Sequence, residues 1–397
     1  MCINKILLSH IQYIFYLYNS YVLLYHVFVG SVVVREVVFA DSAGDAALQF
    51  LGFPESVAKS KRSPEKLFRL LDLYDAVTEL RPEIELIFSF DSTAAVRAQA
   101  LASLSKLAET ASATLTDFES AITKESSRST FPGGGVHPMT RYAMNYISLL
   151  ADYQSALVKI SADFPIHTPT PIPAFFFGTS QAPTEQQPAV SGSSSPPASS
   201  SSSSEGSRRS AIAARFAWLI LSLLCKLDEK AAAYRDVGLS YLFLANNLQY
   251  IVNKVRSCRL RELLGEEWAT RHAAKARQHA AGYDRAAWGR VAATIPTGNV
   301  SAGEARGRMR AFNAALEEAC AAESGWVVAD AAMREEMRAN VRRMILPAYR
   351  GFYTRWGAAM EDAAAVLLSP DDVGNRVGEL FSGSGSHRTK ASSSRTV

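Results

Sequence analysis

The sequence has few cysteines and none of the spacings that bind metals or form redox pairs. Its 397 residues contain four cysteines, Cys2, Cys225, Cys258 and Cys320, which lie far apart in the chain. That count is too low for a disulfide scaffold, and the missing paired spacings exclude a zinc knuckle. A reducing cytosol fits this usage best. The 48% of hydrophobic residues supply enough apolar material for a sizeable core.

The sequence also lacks the motifs of nucleotide-binding and hydrolytic enzymes. No segment matches the glycine-rich phosphate loop that ends in Gly-Lys-Ser/Thr, and no serine has the context of a nucleophile elbow. His272 and His279 can share a helix face, but no neighbouring Cys or acid completes a metal site, so we interpret both as surface residues. We therefore expect no catalytic residue, no metal, no cofactor and no enzyme activity.

Charge is missing from the N-terminus. Between Lys5 and Arg35 there is no Lys, Arg, Asp or Glu, so residues 6–34 are long enough to cross a bilayer as one helix. Polar residues and five tyrosines interrupt the middle of this stretch, which is atypical of a membrane span. We interpret residues 1–34 as an atypical apolar segment, with a single-pass anchor as the alternative.

From residue 35 onward the apolar pattern is that of helices. Apolar residues recur at steps of three and four, as in Val96, Ala100 and Leu104. Pro82 and Pro347 each predict the start of a new helix. The pattern predicts an all-α fold, with a helical bundle over residues 35–164 and further helical bundles over residues 211–382.

Two segments have the composition of disordered chain. Residues 165–210 begin with prolines at positions 165, 169, 171 and 173 and continue into a run that is nearly all serine. Such a segment cannot bury enough apolar surface to offset its ordering entropy, so we predict a disordered loop there. We also predict a disordered polar tail over residues 383–397.

Two further patterns predict local structure. Asn246 and Asn247 lie among apolar residues of a predicted helix, and buried amides there would fix the helix register through hydrogen bonds. The three glycines at positions 133–135 are best interpreted as a flexible turn rather than a phosphate site.

Basic residues concentrate in two clusters, although the net charge is only +4. Residues 254–310 contain twelve Lys and Arg against five acids, and a second cluster lies close to the C-terminus. Such clusters are either the solvated faces of helices or a surface for anionic lipid headgroups or an acidic partner. Nucleic acid is not favoured, because no binding motif accompanies the charge. The lipid-binding candidates are Lys254, Arg256, Arg259 and Arg261, and Arg342, Arg343, Arg350 and Arg355.

Several long segments resemble the plant-type Exo-seventy subunit of the exocyst, and the likeness runs from about residue 34 to residue 382. The segments with this likeness are residues 63–69 (SPEKLFR), 137–146 (HPMTRYAMNY), 241–252 (YLFLANNLQYIV), 261–265 (RELLG), 312–313 (FN), 325–328 (GWVV), 347–349 (PAY) and 380–381 (LF).

This resemblance implies an elongated rod of stacked antiparallel helical bundles. It also implies a role in tethering secretory vesicles to the plasma membrane during exocytosis. The expected partners are other exocyst subunits, small GTPases and a membrane that contains phosphatidylinositol 4,5-bisphosphate. The expected location is cytoplasmic and peripheral at the plasma membrane.

Two departures from the family pattern leave an alternative open. The chain looks N-terminally truncated, with residues 1–33 in place of a longer helical region. In addition, residues 365–372 hold no basic residue where family members typically carry a Lys- and Tyr-containing segment. The alternative is a diverged helical adaptor that binds other proteins outside the exocyst, for example in defence or selective trafficking.

Overall fold

The computed structural model describes residues 32–127, 129–164, 200–296, 300–357 and 368–381. The regular elements within these ranges are helices, which confirms the predicted all-α class. Short 3₁₀ turns occur at Asp91–Thr93, Pro132–Gly134 and Glu323–Gly325, and a π-helical segment occupies Asp284–Trp288. The α-helices are α1 (Val32–Lys59), α2 (Lys66–Ile87), α3 (Ala94–Thr123), α4 (Pro138–Ala151), α5 (Gln154–Ile160), α6 (Ser200–Ala231), α7 (Val237–Arg256), α8 (Leu260–Leu264), α9 (Glu266–Tyr283), α10 (Gly289–Ala293), α11 (Ala302–Ala322), α12 (Ala331–Trp356) and α13 (Pro370–Gly378).

The described residues divide into two compact units. The first contains residues 32–124, 149–164 and 200–218, and the second contains the remainder. Helices α4 and α6 contribute residues to both units.

Helices α1, α2 and α3 form the core of the first unit. Phe39 of α1 packs its ring 5.5 Å from that of Phe88, and the hydroxyl of buried Ser103 on α3 donates to the Leu51 carbonyl at 2.6 Å. A buried ion pair joins Arg215 of α6 to Glu119 of α3, whose carboxylate also accepts the Trp218 indole N–H at 2.6 Å. Because each partner satisfies the other, the charges are tolerated inside the bundle.

Two helices continue through prolines at which the sequence predicted a new start. Pro82 lies inside α2 and Pro347 lies inside α12. Both prolines are exposed, whereas Ile84 and Ile345 beside them are buried. We infer that burial of the apolar face outweighs the lost backbone hydrogen bond, which costs about 3 kcal/mol.

The predicted loop over residues 165–210 ends earlier than expected. Residues 165–199 lie outside the described residues, but α6 begins at Ser200, so residues 200–210 are helical. Adding a residue to an existing helix costs far less than starting one, and an ion pair between Arg209 and Glu205 at 2.7 Å supports this exposed turn. The predicted tail at 383–397 also lies outside the described residues.

One helix among the described residues has the length and composition of a membrane span. Residues 1–31 lie outside the described residues, and the last three residues of the predicted apolar segment belong to α1. Among the described residues, the stretch Glu205–Ala231 of α6 is long and apolar enough to cross a membrane, with a mean hydropathy of 1.6 over its best window. Half of that window is buried inside the protein, which is typical of a core helix.

The core of the second unit lies among α7 and α9–α13. It includes Trp288, Phe312, Ile345, Tyr349 and Val377, each 2% exposed or less. Helices α7 and α9 pack closely, because Gly282 of α9 leaves room for the ring of Tyr241; a Cβ at Gly282 would lie 2.8 Å from that ring.

Asn246 and Asn247 hold three segments of the second unit together, as the sequence predicted for buried amides. Asn247 accepts from the His137 N–H at 2.9 Å and the Thr140 hydroxyl at 2.7 Å, and donates to the Gly135 carbonyl at 3.3 Å and the Phe243 carbonyl at 2.7 Å. Asn246 donates to the carbonyls of Gly134 and Val327 at 2.8 and 2.7 Å, and accepts from the Ala329 N–H at 3.0 Å. We call this pair and its partners the asparagine clamp.

The glycine turn inside the clamp has little freedom to move. Gly133 and Gly134 have φ angles of +68° and +66°, which disfavour other residues. A Cβ at Gly133 would lie 2.4 Å from the Gly325 carbonyl oxygen, and one at Gly134 would lie 2.8 Å from the Leu239 side chain. The turn was predicted, but it is held in place rather than flexible.

We expect Asn247→Ala to lower the free energy of unfolding of the second unit by about 2–4 kcal/mol, because buried donors and an acceptor lose their partner. Urea denaturation followed by tryptophan fluorescence measures this. Gln249→Ala, on the partly exposed side of the same helix, is the control and should change stability by less than about 0.5 kcal/mol. Equal midpoints for the two variants would contradict the importance of the clamp.

Candidate functional surface

Helices α11 and α12 pack so that the first half of α11 lies beside the last half of α12. The rings of Phe312 and Tyr349 stack with centroids 4.6 Å apart, and the Tyr349 hydroxyl lies 3.7 Å from the Met309 sulfur. The same hydroxyl donates to the Leu368 carbonyl at 2.7 Å, just before α13. This contact fixes which basic residues of the two helices come close together.

Six exposed arginines lie on the two helices that the Phe312–Tyr349 contact joins. Arg343 and Arg350 lie seven residues apart on one face of α12, and both are exposed. Helix α11 contributes three exposed arginines, two before Met309 and one after it. We call this group the α11–α12 arginine surface; it consists of Arg306, Arg308, Arg310, Arg343, Arg350 and Arg355.

Glu304 and Asp372, at the starts of α11 and α13, are engaged in capping boxes. Glu304 accepts from the Ser301 N–H and hydroxyl at 2.9 and 2.8 Å, and these hydrogen bonds lower its pKa. Asp372 forms the same capping box with Ser369, which also lowers its pKa. Both carboxylates therefore satisfy backbone amides at helix N-termini.

Arg342, predicted as a lipid contact, packs against α13. Its Nε donates to the Gly374 carbonyl at 3.3 Å, and a Cβ at Gly378 would lie 2.6 Å from its Nη2. One turn earlier, Arg338 donates to the Leu380 carbonyl through Nε at 2.9 Å. These two arginines hold α13 against α12, so Arg342 has a structural role.

The other predicted cluster lies at a different end of the second unit. Lys254, Arg256, Arg259 and Arg261 occupy the corner between α7 and α9, where Glu266 pairs with Arg256 at 3.3 Å and with Arg261 at 3.0 Å. Asn253 donates to Asp330 at 2.9 Å, which places this corner at the N-terminus of α12. Twenty residues of helix separate Asp330 from Arg350, or about 30 Å. The eight predicted residues therefore do not form one surface.

A buried carboxyl lies near the π-helical segment. The Tyr283 hydroxyl donates to Glu323 Oε2 at 2.5 Å and accepts the Trp288 indole N–H at 2.8 Å. Burial, with smaller contributions from the nearby Asp236 and Asp284 carboxylates and against the effect of the Tyr283 hydrogen bond, raises the pKa of Glu323 to about 8. Burial also raises the pKa of Asp284 to about 6. The rings of Trp326 and Phe381 lie 6.0 and 5.6 Å from that of Tyr283, so the group is enclosed.

The two histidines on α9 are half-buried, so their interpretation as surface residues was wrong. His272 stacks on Trp268 with ring centroids 3.8 Å apart, and burial lowers its pKa. Burial, assisted by Lys275, lowers the pKa of His279 to about 4. Within the described ranges, no group of three or more His, Cys, Asp or Glu side chains is arranged to hold a metal ion.

The Glu323 carboxyl makes stability depend on pH. Its folded-state pKa is raised above the value near 4.5 of an exposed Glu, so its stabilising contribution is complete below pH 4.5 and is lost as pH rises to about 8. As pH rises from 5 to 9, the unmodified chain should therefore lose about 4 kcal/mol of unfolding free energy relative to Glu323→Gln. Urea unfolding at several pH values measures this. Glu318→Gln, an exposed position, is the control; a parallel pH dependence in all three proteins would refute the assignment.

The chain is similar to known exocyst proteins over nearly all of its length. The family model for the C-terminal region of the Exo70 exocyst complex subunit matches residues 9–379. The exocyst complex component EXO70A1 of Arabidopsis thaliana is 31% identical over 365 residues, which cover 87% of this chain and 51% of that protein. EXO70C2 of the same plant is 30% identical over 360 residues, covering 88% and 48%. The chain thus spans about half the length of the curated relatives it matches.

A solved structure supports the same fold. A structure of the exocyst subunit Exo70p matches with a TM-score of 0.52 over 92% of this chain and 68% of that one. The sequence identity is 11%, so this likeness concerns the fold alone. The family model, in turn, matches most of the sequence. The chain belongs to the Exo70 family of exocyst complex subunits.

Proposed function

We propose that this chain acts in an exocyst subunit as the part that contacts phosphoinositide at the plasma membrane, and so helps to tether secretory vesicles. The family match supports the exocyst assignment, and the α11–α12 arginine surface carries the lipid assignment. Its proposed location is cytoplasmic and peripheral at that membrane. Other exocyst subunits and small GTPases are the proposed protein partners.

Arginine suits a phosphoinositide headgroup for a geometric reason. The guanidinium presents planar, paired N–H donors that match the oxygens of a phosphate, and it stays charged at all physiological pH values. Each basic residue near an anionic membrane contributes about 1 kcal/mol, so four to six arginines on one surface give substantial affinity. Because this surface lies on α11 and α12, it does not require basic residues at positions 365–372.

Liposome co-sedimentation tests the lipid contact with matched variants. Replacing Arg308, Arg310, Arg343 and Arg350 by Ala should weaken binding to bisphosphate-containing vesicles roughly 100-fold or more. The control replaces Lys254, Arg256, Arg259 and Arg261 by Ala, which removes the same charge from the α7–α9 corner and should cost less than about tenfold, because two of its arginines are already paired. Arg342 is left in place because it holds α13.

Three further outcomes of this experiment are informative. Binding by the unmodified chain should fall as salt rises, since screening acts over about 8 Å at physiological ionic strength. Equal recovery on neutral and on bisphosphate-containing vesicles would refute the lipid contact. A larger loss in the corner variant than in the α11–α12 variant would place the contact at the other end of the second unit.

The absence of basic residues at positions 365–372 favours the alternative of an adaptor outside the exocyst. Affinity capture distinguishes this adaptor from an exocyst subunit. We expect the tagged chain to recover other exocyst subunits from cells that express it. A chain with Asn247→Ala, in which the clamp is weakened, controls for capture by misfolded protein and should recover less. Reproducible capture of other proteins without any exocyst subunit would support the adaptor and refute the exocyst role.

A further inference from the structure

The described residues contain two Ser-Pro dipeptides, and each lies at the start of a helix. Ser63-Pro64 precedes α2, and Ser369-Pro370 begins α13. A serine followed by proline is the minimal substrate of proline-directed serine/threonine kinases. The two sites present the same acceptor chemistry in opposite surroundings.

The Ser63 hydroxyl is accessible. Ser63 is exposed, and residues 61–63 have no regular secondary structure. Within the described ranges its hydroxyl has no hydrogen-bond partner, and α2 starts without a side-chain cap. The turn bonds from the N–H groups of Lys66 and Leu67 to the carbonyls of Ser63 and Pro64 are among the contacts that must open before the segment can extend into a kinase cleft.

The charges around Ser63 favour a phosphate there. Lys61 and Arg62 are exposed, and Arg62 pairs with Asp117 of α3 at 3.3 Å. Lys66 lies one turn further on, where its ammonium group donates to the carbonyls of Ala58 and Ser60 at 3.0 and 2.5 Å. Lys66 is buried and Glu65 is exposed, so the cations open to a phosphate are Lys61 and Arg62. A phosphoserine carries about two negative charges and pairs readily with such exposed cations.

Ser369 lacks each of these properties. Its hydroxyl donates to Asp372 Oδ2 at 2.7 Å and accepts from the Asp372 N–H at 3.1 Å, so the oxygen that would be modified is engaged in the capping box. Asp371 and Asp372 would repel a phosphate at this position. Phosphorylation there would remove the cap of α13.

We propose that Ser63 is a phosphorylation site for a proline-directed serine/threonine kinase, and that Ser369 is excluded by its capping box. In the reaction the Ser63 Oγ attacks the γ-phosphorus of ATP, ADP leaves, and the hydroxyl proton passes to the catalytic base of the kinase. The phosphate then lies just before α2, beside Lys61 and Arg62, and competes with Asp117 for Arg62. This inference does not depend on the proposed lipid contact.

Phosphorylation of the full chain in vitro tests the site. The chain is incubated with ATP and a mitogen-activated or cyclin-dependent kinase, and each site is mapped separately by mass spectrometry, because Thr168, Thr170 and Ser195 also precede proline. Synthetic peptides of residues 57–69 and 363–375 report how well the kinase accepts each sequence without the fold. We expect Ser63 to be modified in the folded chain at a rate within roughly tenfold of its peptide.

Variants separate the effect of the fold from that of the sequence. Pro64→Ala should abolish modification at Ser63, and Asp372→Ala, which breaks the capping box, should raise modification at Ser369 above the level in the unmodified chain. Failure of the kinase to modify Ser63 in the folded chain or in the peptide would overturn the proposal. Equal rates at Ser63 and Ser369 in the folded chain would overturn the argument from the capping box.

Discussion

The hydrogen bonds of two buried asparagines are the constraint on which the second unit depends. A buried amide without partners would be costly, and Asn246 and Asn247 find theirs in backbone groups of the glycine turn and of residues 327–329. The hydrogen bonds to the glycine turn fix the start of α4, and those to residues 327–329 fix the chain just before α12. Because only one register satisfies both amides, the clamp determines where α12 begins.

The position of α12 in turn determines which arginines are available to a partner. The arginines of α12 lie in two kinds of surroundings. Arg338 and Arg342 donate to backbone carbonyls at α13, whereas Arg343 and Arg350 are exposed to solvent. In the α7–α9 corner, Arg256 and Arg261 are paired with Glu266. A count of basic residues in the sequence cannot separate these cases, because the distinction depends on the groups that the fold places next to each guanidinium.

The sequence predicted the helical class and the asparagine clamp, because both follow from local patterns: apolar residues at steps of three and four, and amides within an apolar stretch. It failed at Pro82 and Pro347, where burial of neighbouring isoleucines overrides the local preference of proline. It grouped Arg308 and Arg310 with the basic residues that precede them in the chain, because the contact between α11 and α12 joins residues that are far apart in sequence. The Tyr283–Glu323 contact spans forty residues and leaves no local pattern from which it could be found.

The distribution of polar chemistry argues for a protein that works through its surface. The polar groups with the most perturbed surroundings, Tyr283 and Glu323, are enclosed by aromatic rings and contact each other. Enclosure of this kind raises the pKa of a carboxyl whether or not a substrate exists, so the shift at Glu323 is accounted for by packing alone. The exposed arginines of α11 and α12, by contrast, face solvent, and the proposed contact with an anionic membrane rests on them. The proposed tether would use such a surface, because holding a membrane requires contact and no chemical change.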